Sequence, residues 1–183
     1  MFVLDLSQPI YAGMEVYPGD PEVRITLDHS YGTHGWLLRR ITFGSHTGTH
    51  VDAYSHMDPD GLTLSDLPPD HFFGEAVLTK VGEEFPEGIG LLFLGEIGLG
   101  NLEEILAARP RFVGGAMDEK LERELLRAGI VTYTGLVNLE RLPRDRRFTF
   151  FGLPLPLRDG DGSPVRAVAL IETSEPAQVA AQE

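Results

Sequence analysis

Cysteine is absent from the 183 residues of the chain. Its absence excludes disulfides, thiolate nucleophiles and cysteine-based metal sites, and it is compatible with a reducing cytoplasm. The sequence also lacks any run of about eighteen apolar residues, and its N-terminal segment has no basic region of the kind that begins a secretion signal. We therefore expect a soluble, cytoplasmic protein that has no membrane partner.

Positive charge is scarce, since 15 lysines and arginines stand against 28 aspartates and glutamates. The formal net charge of −13 repels phosphate backbones, so the composition argues against a nucleic-acid partner. The length fits one domain that buries its own core without covalent staples. We place this domain at residues 1–174 and expect residues 175–183, which include three alanines and two glutamines, to form a flexible tail.

Short apolar and β-branched runs typical of strands recur along the chain, and turn signals such as residues 18–21 and 159–162 separate most of them. The predicted strands cover residues 2–6, 23–27, 36–43, 76–81, 91–94, 112–114, 130–134, 147–151 and 165–171. Two helices are predicted in the second half, one from Asn101 to before Pro110 and one over residues 118–128. Because helices alternate with strands only there, we expect a single α/β (α+β) domain.

The most informative segment is residues 45–56, which holds three of the six histidines. His46, His50, Asp52 and His56 offer the imidazole and carboxylate donors that hold zinc, manganese or iron. Gly48 and its β-branched neighbours disfavour a helix, so we interpret the segment as an extended loop with a turn. A metal site is the first hypothesis, and a loop held by histidine hydrogen bonds is the alternative.

The stretch from His46 to His56 reads His-Thr-Gly-Thr-His-Val-Asp-Ala-Tyr-Ser-His and resembles the His-x-Gly-Thr-His-x-Asp-x-Pro-x-His signature of the cyclase family, which includes bacterial kynurenine formamidase. Further segments similar to that family follow in the expected order at residues 5–7, 16–21, 62–68 and 155–168. The resemblance implies a swivelling β/β/α-type fold, a homodimer or homotetramer, and hydrolysis of a small-molecule amide such as N-formylkynurenine in tryptophan catabolism.

The resemblance also implies roles for the motif residues. His46, His50 and Asp52 match the metal ligands of the family, and His56 matches its catalytic acid/base histidine. The chemistry is coherent, because a bound divalent ion lowers the pKa of water and polarises a carbonyl while a nearby imidazole moves the proton. We expect the ion to be zinc, with manganese and iron as alternatives.

The chain departs from the family pattern mainly in its second half. Thr134 stands where the family has a glutamate ligand, Glu122 stands near a family histidine ligand, and Tyr54 replaces the motif proline. Because three protein ligands and water still complete one coordination sphere, we expect one ion rather than two. Glu96 and Glu122 are candidate substitute ligands, although glutamates on loops and helices are usually solvated.

Three functions are open at this point. The intact motif favours a metal-dependent hydrolase of a small amide or ester, in which bound water attacks the substrate and His56 relays the proton. The missing family residues favour a non-catalytic relative with a degenerate metal site. A lyase or isomerase step on the same metal is the third alternative, because one fold supports several reactions.

Overall fold

The structure is a computed structural model that describes residues 1–172, so the tail predicted at residues 175–183 lies outside the described residues. The helices are α1 (Tyr31–His34), α2 (Leu102–Ala107) and α3 (Glu119–Arg127). The strands are β1 (Phe2–Asp5), β2 (Arg24–His29), β3 (Leu38–Thr42), β4 (His50–Asp52), β5 (Phe73–Thr79), β6 (Gly90–Ile97), β7 (Phe112–Met117), β8 (Val131–Thr134), β9 (Phe148–Phe151), β10 (Gly162–Pro164) and β11 (Val168–Ile171). Within this part of the chain, no helix has the length and hydropathy needed to cross a membrane.

Nine of these strands form one mixed sheet in the order β1-β11-β9-β5-β6-β7-β8-β4-β10. Strands β5, β6, β7 and β8 are parallel to one another, and the other neighbours are antiparallel. Because α2 connects β6 to β7 and α3 connects β7 to β8, the parallel part of the sheet is built from crossover units. The predicted mixed α/β single domain is confirmed.

The core lies on both faces of the parallel strands. Leu91 and Phe93 of β6 pack in a cluster with Leu121 and Leu125 of α3, whereas Leu92 packs in a second cluster on the opposite face. In a strand that is buried on both faces, polar and apolar residues do not alternate, which explains the unbroken apolar run at residues 91–93.

The second predicted helix is confirmed to within one residue at each end. The backbone N–H of Leu121 donates to the Asp118 carboxylate at 2.8 Å, which caps the start of α3. Gly129 has φ of +77° just after the helix, a left-handed conformation that glycine adopts without a steric penalty. The buried face of α3 carries Leu121, Leu125 and Leu126, and it also carries Glu122.

Strand β4 (His50–Asp52) corrects the prediction of an extended loop in this segment. Its three residues are extended, as predicted, but they pair antiparallel with both β8 and β10 inside the large sheet. Three residues are too few to show an alternating pattern, and both partners lie far along the chain. The pairing therefore fixes two residues of the predicted site on a buried strand.

Strands β2 and β3 form a separate two-stranded hairpin outside the large sheet. Every residue of β3 is exposed, so neither face of this strand packs against the domain. Several large apolar side chains of the hairpin region are about half exposed: Leu27, Trp36, Leu38 and Ile41.

Candidate functional site

The four motif side chains converge at the start of β4. His46 lies in the turn before the strand, His50 and Asp52 lie on it, and His56 ends a 3₁₀ turn at Tyr54–His56. Gly48 has φ of +64°, so the glycine-based tight turn expected there is present. The ring centroid of His46 lies 5.2 Å from that of His50 and 3.8 Å from that of His56. The three imidazoles therefore form one cluster.

Asp52 is the buried centre of the cluster, with only 1% of its surface exposed. Its Oδ1 atom lies 2.6 Å from Nδ1 of His46 and 3.5 Å from Nε2 of His50. Its Oδ2 atom accepts a hydrogen bond from the Thr132 hydroxyl at 3.1 Å. Burial acts to raise the pKa of Asp52, but the hydrogen bond from His46 and the neighbouring imidazoles outweigh it and lower that pKa. Asp52 is therefore a carboxylate that faces two imidazole nitrogens.

His50 is oriented by its own turn. Its Nδ1 atom lies 2.8 Å from the carbonyl oxygen of Gly48, which can only accept, so Nδ1 carries the proton. Its Nε2 atom faces Asp52 and lies 2.8 Å from the hydroxyl of Thr134. Thr134 therefore faces the cluster, although a hydroxyl stands there instead of a carboxylate.

Asp161 is a member of the cluster that the sequence reasoning missed. Its Oδ2 atom lies 2.8 Å from Nε2 of His46 and 3.7 Å from Nδ1 of His56. Residues 159–162 predict only a turn, and no sequence signal predicts the pairing of β10 with β4 that brings Asp161 to the histidines. Burial acts to lower the pKa of His46, but the carboxylates of Asp52 and Asp161 outweigh it and raise that pKa to about 9.

Glu122 contradicts the expectation that helix glutamates are solvated, because only 9% of its surface is exposed. The hydroxyl of Thr132 lies 3.2 Å from Oε1 of Glu122 as well as 3.1 Å from Oδ2 of Asp52. Burial and the nearby charge of Asp52 raise the pKa of Glu122 to about 8. One hydroxyl hydrogen cannot serve both carboxyl groups, and the raised pKa of Glu122 favours its protonated form beside the Asp52 carboxylate. Glu96, the other candidate ligand, is exposed as expected.

The donor set fits a divalent cation. His46, Asp52 and His56 each offer one ligand atom, and these atoms lie within 4.8 Å of one another. His50 brings a fourth donor close to the same Asp52 oxygen. Imidazole nitrogen with one carboxylate oxygen is a ligand combination that zinc accepts, and the Nδ1 hydrogen bond of His50 leaves its Nε2 lone pair free for such a role.

Comparisons with known proteins show which proteins the chain resembles in sequence and in fold. A kynurenine formamidase from Salinibacter ruber is 30% identical, with 92% of this chain and 97% of that protein covered. A kynurenine formamidase from Bacillus cereus is 29% identical, with 90% of this chain and 95% of that protein covered. The fold is similar to isatin hydrolase A from Ralstonia solanacearum, with a TM-score of 0.76, 20% sequence identity, and 93% of this chain and 92% of that chain covered. The family model for Cyclase matches residues 4–97, more than half of the chain, and the chain therefore belongs to the cyclase family.

Proposed function

We propose that this protein hydrolyses a small aryl formamide, of which N-formylkynurenine is the first candidate, at a single zinc ion held by His46, His50 and Asp52. The observation that carries the proposal is the buried Asp52 oxygen that faces one nitrogen of each of the two histidines. His56, whose ring packs against that of His46, supplies a proton-transfer group beside them.

The prediction that the chain is an enzyme, a metal-dependent amidohydrolase, is confirmed by its relatives. Two kynurenine formamidases, 29% and 30% identical to this chain, match at least 90% of its length. The alternative of a non-catalytic relative rested on residues that the chain lacks in its second half. It is disfavoured because the three histidines and Asp52 remain together in one cluster.

The hydrogen bonds of the histidines indicate which atoms would hold the ion. His50 donates its Nδ1 proton to Gly48, so its Nε2 is the ligand atom. Nδ1 of His46 faces Asp52, whereas Nε2 of His46 faces Asp161. Thr134 offers a neutral hydroxyl, and the raised pKa of Glu122 disfavours its ionised form, so both are poorer ligands than the glutamate and histidine of the family pattern, which supports one ion rather than two.

When bound, the ion would supply a water of lowered pKa and would polarise the substrate carbonyl. His56 is suited to accept the proton of that water, because burial and the nearby charge of His46 lower its pKa and keep its imidazole neutral near pH 7. About 27% of the His56 side chain is exposed, so a small substrate can reach it. The same imidazole would then return the proton to the departing amine.

The test combines metal analysis with a hydrolysis assay. Purified protein should contain about one equivalent of zinc, lose hydrolysis of N-formylkynurenine after chelation, and regain it when zinc is restored. Absence of metal uptake at pH 8 would instead indicate a degenerate site. A fully loaded protein that hydrolyses neither N-formylkynurenine nor other aryl formamides would favour a lyase or isomerase on the same metal.

We also propose that two copies of the chain associate through the β2–β3 hairpin. An isolated two-stranded hairpin is marginal in water, and this one exposes several large apolar side chains. It carries three arginines, Arg24, Arg39 and Arg40, and one aspartate, Asp28, in a chain whose net charge is −13. The hairpin of one copy can therefore pack its exposed apolar side chains and its arginines against the acidic remainder of the second copy, which offers the opposite charge.

Sedimentation equilibrium tests this association. Wild-type protein should be a dimer or a tetramer, and Ile41→Arg, which places a charge among the exposed apolar side chains, should shift it towards monomer. Leu62→Arg is the matched control, because Leu62 is similarly exposed but lies outside the hairpin. A monomeric wild-type protein would contradict the proposal.

A further inference from the structure

We infer that Asp161 is the residue that orients His46 for the ion, so that His46 binds through Nδ1 and donates its Nε2 proton to the Asp161 carboxylate. This inference rests on the proposed metal site. It adds a positioning residue from the second half of the chain, outside the histidine motif.

The first argument is the pair of hydrogen bonds on the His46 ring. Nδ1 lies 2.6 Å from Oδ1 of Asp52, and Nε2 lies 2.8 Å from Oδ2 of Asp161. A metal-binding imidazole keeps one proton, and it usually donates that proton to a carboxylate, a backbone carbonyl or water. Oδ1 of Asp52 faces both Nδ1 of His46 and Nε2 of His50, so the ion would lie on the Nδ1 side of the His46 ring. The proton that His46 keeps is then on Nε2, which faces Asp161.

The second argument is that backbone hydrogen bonds hold Asp161 next to β4. The backbone N–H of Ala53 donates to the carbonyl oxygen of Asp161 at 2.9 Å. The next residue, Gly162, is paired with Asp52 in the β4–β10 ladder. Asp161 is therefore fixed relative to the strand that holds two of the proposed ligands, although its side chain is 47% exposed.

The third argument is the shape of the neighbouring backbone. A Cβ atom added at Gly162 would overlap Cε1 of His46, since real Cβ atoms do not approach other atoms so closely. The His46 ring thus occupies the space above Gly162 while its Nε2 reaches Asp161. Asp161 and Gly162 therefore both contact the imidazole of His46.

Asp161 acts on His46 rather than on His56. Its Oδ2 atom is 3.7 Å from Nδ1 of His56, which is beyond hydrogen-bond distance. Loss of the Asp161 carboxylate should therefore weaken metal binding before it changes proton transfer by His56.

The experiment compares zinc affinity in four proteins by calorimetric titration with zinc chloride: wild type, Asp161→Ala, Asp161→Asn and Asp159→Asn. Asp161→Ala should lose about 10- to 100-fold in affinity, the usual effect of removing such an outer hydrogen-bond partner. Asp161→Asn should lose less zinc affinity, because its amide oxygen still accepts the hydrogen bond from Nε2 of His46. This variant also tests the inference if Asp161→Ala fails to fold. Asp159→Asn removes the same charge from the same turn and should bind zinc like wild type.

A spectroscopic measurement separates orientation from general damage. In zinc-loaded protein labelled with ¹⁵N at histidine, long-range ¹H–¹⁵N spectra should show His46 coordinated through Nδ1 and protonated at Nε2. Coordination through Nε2 in the wild type, or unchanged zinc affinity in Asp161→Ala, would overturn the inference and leave the proposed site standing. Failure of the wild-type protein to bind zinc would overturn both the proposed metal site and the role of Asp161.

Discussion

Replacing Glu122 by glutamine should make the stability of the metal-free protein less sensitive to a rise in pH from 5 to 8. Glu122 is buried beside Asp52, and this environment raises its pKa from 4.5 to about 8. Because the folded pKa is above the unfolded one, Glu122 favours the folded state most at low pH, and this contribution is lost as the pH rises through 8. Glutamine keeps the size and stays neutral, so the variant should lose this pH dependence.

The magnitude follows from the difference between the two pKa values. At about 1.4 kcal/mol for each tenfold change in proton affinity, a rise in pKa from 4.5 to about 8 predicts that ionisation of Glu122 removes roughly 3 to 4 kcal/mol of folding stability between pH 5 and pH 8. His46, with its pKa raised to about 9, adds a further loss between pH 6.5 and 9 that the variant retains. His56 acts in the opposite sense near pH 6.5, because its pKa is lowered.

Urea unfolding in the presence of a chelator, at one-unit steps from pH 5 to pH 8, measures these changes. The wild type should lose stability across this range, and Glu122→Gln should lose about 3 kcal/mol less. Glu124→Gln is the control, because Glu124 lies on the same helix and makes only a surface pair with Arg127. Equal slopes for Glu122→Gln and the wild type would show that Glu122 is ionised in the folded protein and that the reasoning is wrong.

Three further substitutions test the cation site. His50→Ala should abolish zinc binding in a calorimetric titration, because it removes one of three proposed ligands; stoichiometric binding would show that His50 is not one. His56→Ala should lower turnover about 10²- to 10⁴-fold with unchanged zinc content by elemental analysis, whereas loss of zinc would make His56 a ligand. Gly162→Ala should weaken zinc binding, because its Cβ would displace the His46 ring, while Gly100→Ala, which meets open space, should not; equal affinities would contradict the close packing.

Local sequence signals predicted the elements that form from local interactions. The helix predicted over residues 118–128 agrees with α3 to within one residue at each end, and the strand predicted at residues 91–94 lies within β6. The histidine motif gave four members of the site, because they lie within eleven residues and Gly48 supplies the turn.

Sequence reasoning failed where distant strands decide the outcome. Asp161 lies at the site only because β10 pairs with β4. A strand of three residues is too short to show a periodic pattern, so the sequence does not predict it. Glu122 is a glutamate on a helix, which normally predicts solvent exposure. Its burial depends on the contacts of α3 with β8 and with the turn at Tyr54–His56, which cannot be read from the helix itself.

The position of β4 between β8 and β10 has a consequence for biosynthesis. Thr132, which bonds Asp52, follows it by 80 residues, and Gly162, which pairs with Asp52, comes later still. A nascent chain cannot close this ladder until β10 has left the ribosome, and closing such long loops is entropically costly. We therefore expect the proposed cation site to reach its final geometry only when synthesis and folding of the domain are nearly finished.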